Sequence, residues 1–306
     1  MPLPASADES QTSDRDRNSW AFSDRLLKRR ELWWGRPCRW IRPRSYEDAV
    51  HRTRERFALR SRSEPDAAWR CCPHWQRTLM SKWNGREFVR KHGCRVPELY
   101  WHGRSIAGIP FASLPSRYVV RPLWGGGQMK VHVVVDGRDL LADAPATTSM
   151  VRRRLLREHG PWALTPVLIE EFVPAEGRSD AMPSEYKCHT FGRTVGAVQV
   201  IERTGRQAGP HRFYTPGWEP FPDAMSGRYP VAPPRPAPHF LAEMLDAATR
   251  LGEAIGTYMR IDFFGSDAGA VFNEFSSTPQ LSDLPFSPEC EELLASLWER
   301  EFPDAI

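Results

Sequence analysis

The sequence predicts an α+β protein, and three stretches carry that expectation. Residues 258–276 hold two apolar runs, 259–264 and 270–275, on either side of Gly265-Ser266-Asp267-Ala268-Gly269, a turn-rich linker of the kind that closes a hairpin. Residues 185–191 and 194–202, joined through Gly192-Arg193, predict a second hairpin. Between the two, residues 240–255 repeat apolar positions at the helical period, as an amphipathic helix does.

A chain of 306 residues is long enough for two domains or one large layered unit. No apolar run approaches the length of a membrane span, and the N-terminus has no signal-peptide apolar region. Six irregularly spaced cysteines add to the expectation of a reduced, cytoplasmic chain. A net charge of +4 fits an anionic small molecule and does not call for nucleic acid or membrane as partner. The oligomeric state is not legible.

Taken in order, residues 1–18 are polar and read as a disordered tail. Residues 19–80 read as a helical region dense in Arg and Trp, with helices at 22–32 and 46–59. Basic residues interleaved with aromatics can bind nucleic acid by stacking and phosphate contact. Packing of the Trp faces on the main body, with Arg left in water, is the stronger reading. Cys71-Cys72-Pro73-His74 has no second ligand pair at zinc spacing, which weighs against a structural metal. Ser81 caps an expected helix that ends at Lys91-His92-Gly93, and an extended piece, 96–101, follows. Strands are expected at 118–122 and 130–135, around Gly125-Gly126-Gly127, and at 167–173, with a helix at 149–159 between them. A long loop bearing Arg203, Arg206, His211, Arg212 and Tyr214 is expected to run to about residue 238, and a helix at 288–301 closes the chain.

The chemistry concentrates in the hairpin 258–276. Asp262 and Glu274 sit inside apolar runs, and antiparallel pairing across the short turn can bring both carboxylates to one face. Close carboxylates repel unless a cation lies between them, and their oxygens suit Mg²⁺. Arg260 shares that face by alternation, so the set describes a site for a metal-bound polyphosphate; a surface ion-pair cluster is the plainer alternative. The three glycines leave backbone N–H groups free to lie against phosphates, without the Lys-Ser/Thr of a Walker loop; a flexible hairpin tip is the alternative. Glu170 and Glu171 end a buried strand, and Lys187 alternates with Glu185 and His189.

Together these segments resemble the ATP-grasp superfamily, and most of all its TupA-like branch, from about residue 79 to 282. The stretches that carry the resemblance are Ser81-Lys82-Trp83 through Gly93, Leu114–Pro122 with Gly125–Gly127, Ile169–Val173, Ser184–Gly192, Arg212-Phe213-Tyr214 to Trp218, Arg260–Phe264 and Glu274-Phe275-Ser276. The resemblance implies two α+β subdomains gripping ATP, 81–175 with a Gly-rich flap and 176–306 with the metal site. It assigns Lys82 and Arg121 to the phosphates, Gly125, Gly126 and Gly127 to the flap, Glu170 and Val173 to adenine, and Glu176 to ribose. Asp262 and Glu274 would hold Mg²⁺, with Ser276 at the third metal-side position, and Arg260 would stabilise the transferring phosphoryl group. Lys187, Arg212 and Tyr214 are expected at an acidic substrate. The implied activity is ATP-dependent carboxylate–amine ligation through an acyl-phosphate, joining an amino acid to a sugar acid, peptide or secondary metabolite. A kinase on the same grip, or a non-catalytic module that binds nucleic acid or a partner through the Arg/Trp-rich segment, are the alternatives. Arg121 stands where the family usually has Lys, and Ser276 where it often has Asn, which leaves a second Mg²⁺ open. The βαβ substrate domain of larger ligases has no counterpart ahead of Lys82.

Overall fold

The computed structural model describes residues 59–70, 75–124, 130–203, 205, 208–221, 230–277 and 286–302. The expected tail and both Arg/Trp-rich helices lie outside these residues but for Leu59, as do Cys71–His74, the triple glycine and Arg206.

Eleven strands in the described residues form two antiparallel sheets. The first holds β1 (Leu99–Ser105), β2 (Arg117–Pro122), β3 (His132–Val135), β4 (Arg138–Asp139), β5 (Ala144–Pro145) and β6 (Trp162–Glu171), in the order β1-β6-β2-β3-β4-β5. The second holds β7 (Glu185–Phe191), β8 (Thr194–Arg203), β9 (Ala208–Tyr214), β10 (Tyr258–Ser266) and β11 (Gly269–Ser276), in the order β11-β10-β7-β8-β9. The α+β expectation and both hairpins are therefore found. The β10–β11 turn is tighter than the sequence suggests: Ser266 pairs with Gly269, so only Asp267 and Ala268 are left to turn. Residues 208–214, expected in a loop, instead form β9.

Four helices of ten or more residues cover the sheets. α1 (Lys82–Lys91) starts at Ser81, whose hydroxyl accepts from the Asn84 N–H, satisfying one of the unpaired donors of the first turn. Although α1 precedes the first sheet in the chain, Phe88 and Val89 pack into the core of the second, with Phe275 and Ile261. α2 (Thr148–His159) lays Val151 and Leu155 on the outer face of the first sheet, against Val120, Val134 and Ile169. α3 (Leu241–Ile255) buries Met244, Ala248 and Leu251 on one face of the second sheet, against Tyr186, Cys188 and Phe263. α4 (Pro288–Glu301) covers part of the opposite face, where Leu294 and Leu297 meet Phe191, Phe213 and Tyr258. The rest of that face looks across a cleft at the first sheet.

The contact between α3 and the β7–β8 turn is close enough to test. A Cβ at Gly252 would lie 2.1 Å from the Gly192 carbonyl oxygen and 3.2 Å from Thr190 Cβ. Gly252→Ala should therefore lower stability by about 1–3 kcal/mol, despite alanine's better helix propensity, because backbone and not a mobile side chain must give way. A rise in the thermal midpoint would contradict this packing.

Candidate active site

The cleft is built by strand alternation on both sides. Val119 pairs with Val133 on one neighbour and Glu170 on the other, so these three and Arg121 face the cleft while Tyr118, Val120, Val134 and Ile169 face α2. The cleft encloses about 940 Å³ counted out to its open mouth. Part of its apolar lining forms one cluster, in which Val119, Val131 and Met182 pack on Val133, Leu141 and Phe172. Its charged lining is Lys82, Arg121, Glu170, Glu171, Glu185, Arg203 and Glu274, with Asn273 beside them. An apolar chamber joined to a charged floor suits a ligand with a flat hydrophobic end and a polyanionic tail.

On the second sheet the register assembles the acidic hairpin as expected. Asp262 is the direct partner of Glu274 on β11 and of Lys187 on β7, and Arg260 is the partner of Ser276. All five side chains therefore share one face. Asp262 is wholly buried. Its Oδ1 accepts from Arg260 Nε at 2.7 Å, and its Oδ2 from the Arg260 terminal nitrogen at 2.8 Å and Lys187 Nζ at 2.7 Å. Lys187 also lies 3.1 Å from Glu185, which Arg203 grips with two hydrogen bonds. Burial opposes ionisation of Asp262, but Arg260 and Lys187 outweigh it and hold the carboxyl below the usual carboxylate range. The cations that relieve repulsion between the paired carboxylates include side chains of the protein itself: Arg260 and Lys187 at Asp262, and Lys82 at Glu274. Glu274, with a side chain 30% exposed, has Lys82 Nζ at 3.7 Å.

Lys82 stands on the first turn of α1, almost fully buried, and burial, opposed in part by Glu274, lowers its pKa. Arg121 reaches across the cleft: its two terminal nitrogens donate to Asn273 Oδ1 at 2.8 Å and to the Asn273 carbonyl at 3.3 Å, and the second also meets Glu170 Oε1 at 2.7 Å. Arg86 of α1 lies 3.7 Å from Glu170 Oε2. Arg121 Nε, Arg86 Nε and Glu170 Oε2 are all buried without a hydrogen-bond partner among the described residues. Orphaned polar atoms at a cleft wall are an opening for a ligand to fill.

Other expected residues are placed differently. Glu170 is tied between the two arginines, Val173 lines the chamber, and Glu176 is outside the cleft lining, bonded to His239 Nδ1 at 2.9 Å. Arg212 pairs with Val200 and so lies on the α3 side of the sheet, with Nε donating to the Ala232 carbonyl; Tyr214 shares that side, stacked on Trp218. These two are not brought together with Lys187. Ser276 shares the face of Arg260 but does not line the cleft. Sequence reasoning assigned no site role to Arg86, Glu185, Arg203 or Asn273. Period-two spacing from Lys187 pointed to Glu185, whereas nothing in the sequence marks Asn273. Beside Arg260 on β7, His189 is fully buried with Nδ1 2.9 Å from the Tyr258 hydroxyl. Burial, with Arg260 nearby, pushes its pKa down to about 3, so it is neutral at physiological pH.

Among the described residues, no three or more His, Cys, Asp or Glu side chains cluster so as to hold a metal ion unaided. No described helix is long and apolar enough to cross a membrane. No family model matches the chain, and no curated protein does. Solved structures do. The D-alanine–D-alanine ligase from Bacillus anthracis complexed with ATP is 15% identical, with a TM-score of 0.47, over 74% of this chain and 66% of that one. The ATP-grasp ligase PsnB complexed with minimal precursor is 15% identical, with a TM-score of 0.40, over 71% and 60%. An L-amino acid ligase from Bacillus licheniformis is 11% identical, with a TM-score of 0.43, over 69% and 45%. The chain thus spans less than two thirds of the length of these structures. Likeness this distant leaves the chemistry of the cleft to be argued from its own side chains.

Proposed function

We propose that the chain is an ATP-grasp ligase of the ADP-forming, carboxylate–amine type, with ATP seated in the cleft. One observation carries the reading: a single cleft joins an apolar chamber to Lys82, Arg121 and Glu274, with a buried Arg260–Asp262–Lys187 cluster on the same sheet face. The apolar chamber takes the purine. Lys82 and Arg121 take the phosphates, and the orphaned Arg121 Nε fits that role. Glu274, which lines the cleft, would hold Mg²⁺, which supplies charge neutralisation at the phosphate oxygens when bound. Asp262, expected beside it as a ligand, is wholly buried and has both oxygens engaged by Arg260 and Lys187.

The chemistry needs no protein nucleophile. A substrate carboxylate oxygen forms a bond to the γ-phosphorus as the bond to the β–γ bridging oxygen breaks, giving an acyl-phosphate and ADP. The nitrogen of an amine then bonds to the acyl carbon, the carbon–oxygen bond to phosphate breaks, and orthophosphate leaves. Arg260, rigidly held by its two bonds to Asp262, presents fixed positive charge to the transferring group, and Lys187 adds to it; such preorganised charge lowers a barrier without reorganising during reaction. Arg212 and Tyr214, expected with Lys187 at an acidic substrate, are not needed for this step.

Orthophosphate release from ATP should require both a carboxylate and an amine, screened across amino acids and sugar acids. Glu274→Ala is expected to reduce that release by about 10²-fold or more, on the scale of removing one electrostatic stabiliser of a transition state. Equal release by wild type and Glu274→Ala would refute the assignment, and phosphate transferred to a hydroxyl would identify a kinase instead.

A further inference from the structure

We propose that His132, behind the wall of the apolar chamber, is a positioning residue: its protonated ring bonds two carboxylates at once and so holds β3 in the form that accepts a nucleotide. The inference rests on the ligase reading above only for what the cleft binds.

β3 is a lightly secured piece of that wall. Its four residues pair with β2 on one side, and the other side has only the two-residue β4. Val131 and Val133 line the cleft. His132 lies between them and pairs with Val120, so its side chain points to the opposite face, under α2. There it is 1% exposed, with Nδ1 2.9 Å from Asp139 Oδ2 on β4 and Nε2 2.9 Å from Glu158 Oε2 on α2. Any shift of His132 is passed directly to the two valines beside it.

This geometry requires a proton on both ring nitrogens. Asp139 is wholly buried and accepts on both oxygens, from Arg154 at 2.6 Å and from the Leu141 and Ala142 N–H groups at 3.1 and 3.3 Å. It has nothing to donate, so Nδ1 must. A neutral imidazole would then turn a lone pair at Nε2 toward the Glu158 oxygen and repel it. Burial opposes charge on the ring, but the bonds to Asp139 and Glu158 outweigh it and raise the pKa above the ordinary 6.5.

The other ionisable groups nearby do not replace the ring. Arg154 is committed to Asp139, and Lys130, just before β3, donates to the Glu158 carbonyl at 2.8 Å. Burial, with Lys130 nearby, lowers the pKa of His159, and burial raises that of Tyr118 to about 12, so neither is charged near neutrality. With its proton, His132 balances Asp139 and Glu158 together with Arg154. Losing the proton leaves a net negative charge, and the bond that gives way is the one to Glu158, whose side chain is 27% exposed and can turn to water. α2 then releases β3. The raised pKa belongs to the folded chain, so the tie is complete below about pH 6.5 and is lost as pH rises through the higher folded value.

ADP binding to wild type and His132→Gln, measured by calorimetry from about pH 6 to about pH 9.5, tests this. Glutamine is neutral at every pH and, like the neutral ring, offers a donor to only one carboxylate. Wild type is expected to bind ADP about tenfold more tightly than the variant at the acid end, the factor that one charge-assisted hydrogen bond commands, and the two should converge as pH rises. The ratio cancels every titration the two proteins share, those of Lys82 and of ADP included. Linkage gives a second readout in wild type alone, which stands even if the variant misfolds: saturating ADP should raise the His132 ring pKa, followed by ¹⁵N magnetic resonance of labelled histidine, by about one pH unit. A ratio that stays constant with pH, or a ring pKa that ADP leaves unmoved, overturns the proposal and leaves the ligase reading intact. Wild type that binds no ADP at any pH overturns both.

Discussion

Replacing Asp262 with asparagine should destabilise the protein by ~3–5 kcal/mol and abolish ATP-dependent ligation. One buried carboxylate serves two cations, Arg260 through both oxygens and Lys187 through one. An amide of the same shape has no charge and one acceptor oxygen, so Arg260 stays in a low-dielectric interior without its two-bonded counterion, and Lys187 keeps only Glu185, which it shares with Arg203. Removing one partner from a buried ionic cluster costs more than the intact cluster contributes, because the remaining charge has lost its water as well as its counterion. Urea unfolding measures the loss. A second substitution separates this cause from lost packing: Lys187→Met in the Asp262→Asn background should recover part of the stability, since it removes one uncompensated charge, yet restore no activity. Additive losses in the double variant would show that the two residues are not coupled.

Acidification should begin to destabilise the protein above the range in which carboxylates titrate, through His189. Its pKa falls from 6.5 to about 3 on folding. Between those values the unfolded chain binds a proton that the folded chain refuses, so stability falls as pH drops from about 6.5 toward 3. The full difference is on the order of 4–5 kcal/mol, against a typical total of 5–15 kcal/mol for a folded domain. Asp262 works in the same direction but lower down: its depressed pKa contributes stability that is complete above the ordinary carboxylate range and lost below it. His189→Phe removes the ionisable ring and should flatten the slope of unfolding free energy between pH 6.5 and 4, leaving the steep acid limb in place. If the slope persists in that variant, another group is responsible.

The parts of this molecule that follow simple periodicity are the parts the sequence discloses. The helices near 240–255 and 288–301 and the hairpins at 185–202 and 258–276 have clean apolar repeats, and the structure forms all of them. The pairing of Asp262 with Glu274 follows from counting two residues at a time across a short turn. What fails to follow is what depends on broken periodicity. β9 contains Gly209 and Pro210, which argue against a strand, and forms because β8 offers it an edge. β6 begins at Trp162, five residues before the visible apolar run, because Pro166 interrupts the pattern while β1 still pairs as far as Trp162. A bulge at Asn273, between the Asp262–Glu274 and Phe263–Phe272 pairs, shifts register by one residue, and no composition signal marks such a shift. Long-range charge pairing is equally hidden: Arg121 lies 152 positions from Asn273 in the chain.

The cations of the cleft are already engaged. Lys82 faces Glu274, Arg121 faces Glu170, and Arg203 faces Glu185. Any incoming anion must therefore outcompete a resident carboxylate that is tethered at high effective concentration. A lone phosphate or acetate gains one contact by displacing one and comes out nearly even. A chain of linked phosphates displaces several at once while losing its own freedom of motion only a single time. The resident acids thus act as a threshold, turning away small monovalent ions abundant in any cell and admitting only ligands with several charges in a row.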